Sequence, residues 1–88
     1  MIIKPTIGRI VWFWPYAENA PNESSQPHAA IVTYVWDDRI INLAVFTPNG
    51  EPYSQTSVQL LQEGDERPFN RFAEWMPYQV GQAKRHNV

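Results

Sequence analysis

Between Ala29 and Phe46 two apolar runs flank a short polar turn, and no other stretch constrains the fold as much. The first run reads Ala-Ala-Ile-Val-Thr-Tyr-Val-Trp, the second Ile-Ile-Asn-Leu-Ala-Val-Phe, with Asp37-Asp38-Arg39 between them. Ile31, Val32, Thr33 and Val35 lose rotamer freedom against a helical turn and lose less on a pleated surface, so the pair predicts a β-hairpin. Strict alternation puts Ala30, Val32, Tyr34 and Trp36 on one face of the first strand and Ile31, Thr33 and Val35 on the other. In the second, Ile41, Leu43 and Val45 oppose Ile40, Asn42, Ala44 and Phe46. Both faces are largely apolar, as in a strand covered on both sides or one curling inside a small barrel. Val32, Val35, Leu43 and Val45 are the predicted core. Asn42 is the exception: if buried it needs a partner, as a structural hydrogen-bonder or as a site residue.

With 88 residues the chain supplies one small domain. Such a domain buries only about 60–65% of its unfolded surface. There is no cysteine, so neither a disulfide nor a thiolate metal site supports it. Four Trp, four Tyr and four Phe compensate, since each buried ring removes on the order of 150–250 Å² from water. Self-association into a homo-oligomer is the second expected compensation. The formal net charge of -2 gives no basic field to attract nucleic acid. No apolar run approaches about 18 residues and no charged-then-apolar leader opens the chain. A soluble, cytoplasmic protein without membrane contact is expected.

Taken in order, Met1–Thr6 is a lead-in and Arg9–Trp14 a first strand, stopped by Pro15. Trp12 and Trp14 share a face, as half of a core layer or as a stacking platform for a planar ligand. Tyr16–Pro27 is a long polar loop, a length that is either mobile or functional. After the hairpin, Pro48-Asn49-Gly50 signals a tight turn. Tyr53–Leu61 reads as a fourth strand, Gln62–Asn70 as a polar loop, and Arg71–Met76 as a last strand stopped by Pro77. The expectation is an all-β fold: a small SH3-like barrel of about five antiparallel strands with no well-defined helix, over residues 1–78. Residues 79–88 form a tail, frayed or weakly helical. An OB-type barrel normally carries a helix between its third and fourth strands, and none is visible there.

The chemistry-bearing residues point away from catalysis. Nucleophilic catalysis needs an activated Ser, Cys or Lys beside a base. Here Ser24 and Ser25 lie in a loop without an elbow motif, and His28 and His86 are the only histidines. Asp37-Asp38 sits at a hairpin turn, where Asp serves the backbone. The four glycines are scattered, so no phosphate-cradling loop forms. No enzyme, metal or cofactor is predicted. Binding is the better class. Trp14, Tyr16, Trp36, Trp75 and Tyr78 fall near strand ends or loops, and Arg9, Arg39 and Arg71 offer forks for phosphate or carboxylate. Rings and Arg donors together suit a nucleotide-like ligand; the plainer reading, stronger on these residues alone, makes the rings core and subunit interface.

Gly-Arg-Ile-Val-Trp near the start, Ala-Ala-Ile-Val-Thr with Trp-Asp-Asp-Arg-Ile-Ile-Asn-Leu-Ala-Val-Phe in the middle and Arg-Phe-Ala-Glu-Trp-Met-Pro-Tyr-Gln near the end resemble a widespread family of small tailed-phage and prophage proteins without an assigned activity. The resemblance covers most of the chain outside the first loop. Where related members resemble Thr-Trp-His-Trp-Pro, Glu74-Trp75-Met76-Pro77 lacks the His. The resemblance implies a viral origin and action in a bacterial cytoplasm, and no reaction. Three roles follow as expectations. One is a sponge sequestering a nucleotide-derived signal of antiviral defence. The others are an inhibitor or adaptor binding a host protein, and a minor virion or assembly component. The sponge needs a concave site with rings and Arg; the adaptor needs an exposed apolar patch or an open strand edge.

Overall fold

The computed structural model describes residues 1–15 and 26–86. Five strands, β1 (Ile10–Trp14), β2 (His28–Asp37), β3 (Ile40–Phe46), β4 (Pro52–Leu61) and β5 (Phe72–Glu74), close a small barrel in the order β1-β2-β3-β4-β5. One helix follows, α1 (Pro77–His86). The expected small β-barrel is the fold. Most of the Tyr16–Pro27 loop, residues 16–25 with Tyr16, Ser24 and Ser25, lies outside the described residues.

The hairpin forms where its β-branched runs predict. Arg39 N–H donates to Asp37 Oδ1 at 2.8 Å, so the turn Asp acts on the backbone. The Asn49-Gly50 turn also forms: Gly50 takes a φ of 86° and its N–H reaches Thr47 O at 2.8 Å. Inside the barrel, Val11, Ala30, Val32, Ile41, Val45, Val58 and Leu60 are all 0% exposed. Leu43 and Phe13 are sealed with them, and Val35 packs against this core half-buried.

Three expectations are corrected. First, β2 does not alternate strictly. Its pairing with β3 shifts between Val32 and Tyr34 and again between Val35 and Asp37. A bulge adds a residue and reverses which side chains point inward. Ala30, Val32 and Val35 therefore face the core, and Tyr34 and Trp36 stand outside. A matching irregularity in β4 lies opposite Asn42, where Ser57 takes a φ of 53°. Asn42 Oδ1 accepts from Ser57 N at 2.8 Å and from Trp36 Nε1 at 3.1 Å, so Asn42 is the structural hydrogen-bonder. Second, the strands are not all antiparallel. β5 runs parallel to β4, with Leu60 beside Ala73 and Leu61 beside Glu74, and antiparallel to β1. The connection from Gln62 to Arg71 turns sharply at Gly64 (φ 89°) and brings the chain back before it pairs.

Third, the C-terminal tail is a docked helix. Met76 caps it, Pro77 occupies the first helical position, and Gln79 reaches back, its Oε1 accepting from Met76 N at 2.7 Å. This is one half of a capping box, the Gln half, since Met76 has no side-chain oxygen to return the bond, with Pro where its missing N–H is harmless. Gln79 Nε2 also donates to Ile10 O at 2.9 Å, tying α1 to β1, and Val80 packs on the core.

Outside the barrel, the ladder registers align side chains in rungs across four strands. One rung runs Trp12, Ala29, Phe46, Pro52; the next runs Ile10, Ile31, Ala44, Ser54. Tyr34 opposite Asn42 continues the series. Tyr34 meets the Trp36 ring edge to face, with centroids 4.8 Å apart.

Candidate functional site

The seven described side chains among those expected to bind do not converge on one cavity. Trp14 is packed rather than presented. It is 6% exposed, stacks on Phe72, and donates from Nε1 to Glu74 Oε1 at 3.1 Å. The Arg67 guanidinium lies 5.5 Å from the Trp14 ring centroid and closes over it. Trp36 stands on the outer face, held by Tyr34 and Asn42. Arg39 is committed to Asp65 through two hydrogen bonds of 2.9 and 3.2 Å. Asp65 pulls the Arg39 pKa up, and Arg39 in turn holds the Asp65 carboxyl below its usual value, helped by the Gln62 N–H. Arg71 is half-buried at one end of the barrel, its Nη2 donating to Thr56 O at 2.9 Å. Tyr16 lies outside the described residues.

Arg9, Trp75 and Tyr78 do come together. They line a cleft of about 350 Å³, with Ile3, Gln79, Gln82 and Ala83. Each is positioned by its backbone. The turn before β1 is stitched to β2: Gly8 N–H donates to Val32 O and Val32 N–H to Arg9 O, both at 2.8 Å. That fixes the Arg9 backbone and leaves its guanidinium exposed, with no ion pair or side-chain hydrogen bond among the described residues. Tyr78 is the second residue of α1, held in place by the Gln79 contacts to Met76 and Ile10, and its ring is 61% exposed. Trp75 forms the wall at 6% exposure, and its buried Nε1 has no hydrogen-bond partner.

The chemistry of this cleft differs from that of its neighbour. Trp75 and Ile3 separate it from a cavity of about 180 Å³ that carries Glu63, Asp65 and Glu74. Those carboxylates are neutralised in place: Lys84 Nζ lies 2.8 Å from Glu63, Arg39 pairs with Asp65, and Arg67 reaches Glu74 at 3.3 Å. Lys84 keeps the Glu63 carboxyl below its ordinary range. Among the described residues the Arg9 cleft is lined by no carboxylate, and neither the Arg9 guanidinium nor the Gln82 amide has a partner there; the Tyr78 phenol and the Trp75 ring complete the lining. That set suits a planar ring carrying a negative charge. Its volume falls within the range of about 300–1,000 Å³ usual for small-molecule sites.

Ile3, Gln79 and Gln82 are site residues the sequence reading left out. The signal for Gln79 was present in the Met76-Pro77-x-Gln79 spacing. Ile3 is placed by Gln62, whose side chain bonds both backbone groups of Ile3 at 2.9 Å, and nothing local announces that contact. No group of three His, Cys, Asp or Glu arranged to hold a metal occurs among the described residues, and no helix there is long and apolar enough to cross a membrane. No family model, curated protein or solved structure matches the chain.

Proposed function

We propose that the protein acts by binding, without catalysis, and that the Arg9 cleft captures a nucleotide-like small molecule. The observation that carries this is the meeting of Arg9, unpaired among the described residues, with the exposed Tyr78 ring over the Trp75 wall, in a cleft that no described carboxylate lines. The base stacks on Tyr78, and the phosphate takes the two-pronged donor of Arg9. Gln82 is the residue placed to read the base edge or sugar. The phage-family resemblance of the sequence adds the biological sense: a small viral protein that sequesters a nucleotide-derived signal of bacterial defence in the host cytoplasm.

The test is calorimetric titration of the full chain with cyclic dinucleotides, ADP-ribose derivatives and inorganic phosphate. Stacking is worth about 1–3 kcal/mol by alanine substitution. A charged hydrogen bond contributes about 1.5–3 kcal/mol. Tyr78→Ala and Arg9→Ala are therefore each expected to weaken binding by roughly tenfold to a hundredfold, at about 1.4 kcal/mol per tenfold. Both residues are exposed, so both variants fold. Arg39→Ala leaves affinity unchanged because its guanidinium is spent on Asp65. Absence of heat with every ligand on folded wild-type protein overturns the reading. So does equal loss from Arg9→Ala and Arg39→Ala.

A further inference from the structure

The three rungs from Trp12 to Tyr34 on the outside of β1–β4 carry no charged residue, although the chain has 16 charges, seven Lys and Arg and nine Asp and Glu; acids appear only at their margins, Asp37 opposite Ile40 at the hairpin end and Glu74 beside Trp12 on β5. Outer faces of antiparallel sheets ordinarily alternate to polar side chains. This one presents Ile10 at 41%, Tyr34 at 49% and Trp36 at 59% exposure, with Trp12, Ile31 and Phe46 half-buried among them. A strand pair apolar on both sides is one that expects cover on both sides, and the barrel interior supplies only one.

We propose that this face is a homodimer interface, its cover being the same face of a second copy. Three observations select a second copy. The first is charge. The protein is net acidic, so two copies repel through surfaces that carry its excess carboxylates. These three rungs bring none of them together: of the acids at their margins, Asp37 accepts from the Arg39 N–H and Glu74 is paired with Arg67, so the rungs themselves offer no charge for a differently charged partner to complement. The second is shape. Along each rung large side chains alternate or border on small ones: Trp12 and Phe46 flank Ala29, and Ile31 adjoins Ala44. A two-fold axis through the middle of the face seats the large groups of one copy over the small ones of the other, as an isologous contact requires. Two twisted sheets pack this way with their strands crossing at about 30°. The third is area. Four strands at about 4.8 Å spacing and the three rungs with Trp36 cover on the order of 500 Å² per copy. Doubled, that reaches the roughly 1,000 Å² at which a specific interface becomes stable, near the small end of the range. The expected dimer is therefore one of micromolar affinity that dissociates on dilution. It is argued from the sheet face alone, so it does not depend on the ligand reading.

Sedimentation velocity over a dilution series tests it. Wild-type protein is expected to move from near twice 10.2 kDa at high micromolar concentration to 10.2 kDa on dilution. The dissociation constant should change little with added salt, because no charges meet. Ile10→Lys combined with Tyr34→Lys places four like charges in the interface. It should weaken association on the order of a hundredfold or more. Both positions are exposed in the monomer, and circular dichroism confirms that the variant is folded. Arg9→Ala should dimerise like wild type. Wild-type protein that stays at 10.2 kDa throughout overturns the proposal and assigns the face to a different protein. A folded double variant that dimerises as well as wild type also overturns it, since the contact then lies elsewhere.

Discussion

Ile41, Leu43 and Val45 lie on one side of β3 at 0 to 1% exposure, while Ala44 and Phe46, on the other side of the same strand, keep part of their surface in water. Across the ladder, Val32 is sealed and Ile31, its neighbour in the chain, is not. Both sides are built from similar residues, so hydrophobicity does not decide which becomes core. Closure does. A five-stranded barrel has an interior one side-chain layer deep, and its inward positions fill that layer completely. The outward positions are equally apolar and have no second layer among the described residues. The difference teaches that an apolar strand face measures a demand for cover, which the fold meets from within on one side only.

The sharpest test sets one residue from each side against the other. Leu43→Ala removes a fully enclosed side chain and leaves a cavity, and is expected to cost about 2–5 kcal/mol. Tyr34→Ala, measured by urea unfolding at concentrations where the chain is monomeric, should fall within about 0.5 kcal/mol of wild type. Equal costs would mean that the outer face is already covered within one chain, and the contrast would fail.

Ile40–Phe46 was legible in the sequence because nothing interrupts its period of two. So were the turns at Asp37 and Gly50, whose residues have a local reason to be there. The bulges in β2 were not legible. A bulge exists only relative to a partner strand, and Tyr34 reads as an inward residue until β3 is laid beside it. Helix α1 was half legible: Pro77 was read as a strand stop when it is also a helix start, and the residues after it were read as frayed or weakly helical. For the site, Arg9 and Tyr78 are 69 positions apart in sequence, and what brings them together is the β1–β5 pairing of Trp12 with Glu74. No spacing in the chain encodes that pairing. The same holds for Arg39, whose availability was cancelled by Asp65, a residue from a loop the pattern left featureless.

Gln62 sharpens the comparison from a different side, because it is a polar residue treated as core. It is 4% exposed and holds Ile3 N, Ile3 O and Asp38 O. Gln62→Ala leaves those backbone groups unpaired. A group left buried and unpaired costs about 1–3 kcal/mol; Ile3 and Asp38 are only half-buried, so water recovers part of the three bonds and a net loss in that range is expected, below that of Leu43→Ala at its upper end. Because Ile3 lines the Arg9 cleft, ligand affinity should fall as well. Unchanged stability would mean that the lead-in is not fastened through this side chain.

The smallest effect separates the two Arg environments by pH. Asp65 and Glu63 both titrate below their ordinary values in the folded chain, because Arg39 and Lys84 respectively donate to them. The unfolded chain therefore binds these protons more readily than the folded one. Stability rises with pH across that window. The contribution is complete above the unfolded values of about 3.9 and 4.3, and is lost as pH falls from there through the folded ones. Both carboxylates belong to the paired cavity, and the Arg9 cleft adds nothing, having no acid to titrate. The groups are exposed, so the effect is modest and screened by salt. Urea midpoints measured from pH 6 down to pH 3 should fall for wild type and fall less steeply for Asp65→Asn, which has no proton to take up. Arg39→Ala should flatten the slope similarly by releasing Asp65 to its ordinary value, whereas Arg9→Ala should track wild type. Were Arg9→Ala to flatten the slope instead, Arg9 would be carrying an ion pair, and its freedom to meet a phosphate would be gone.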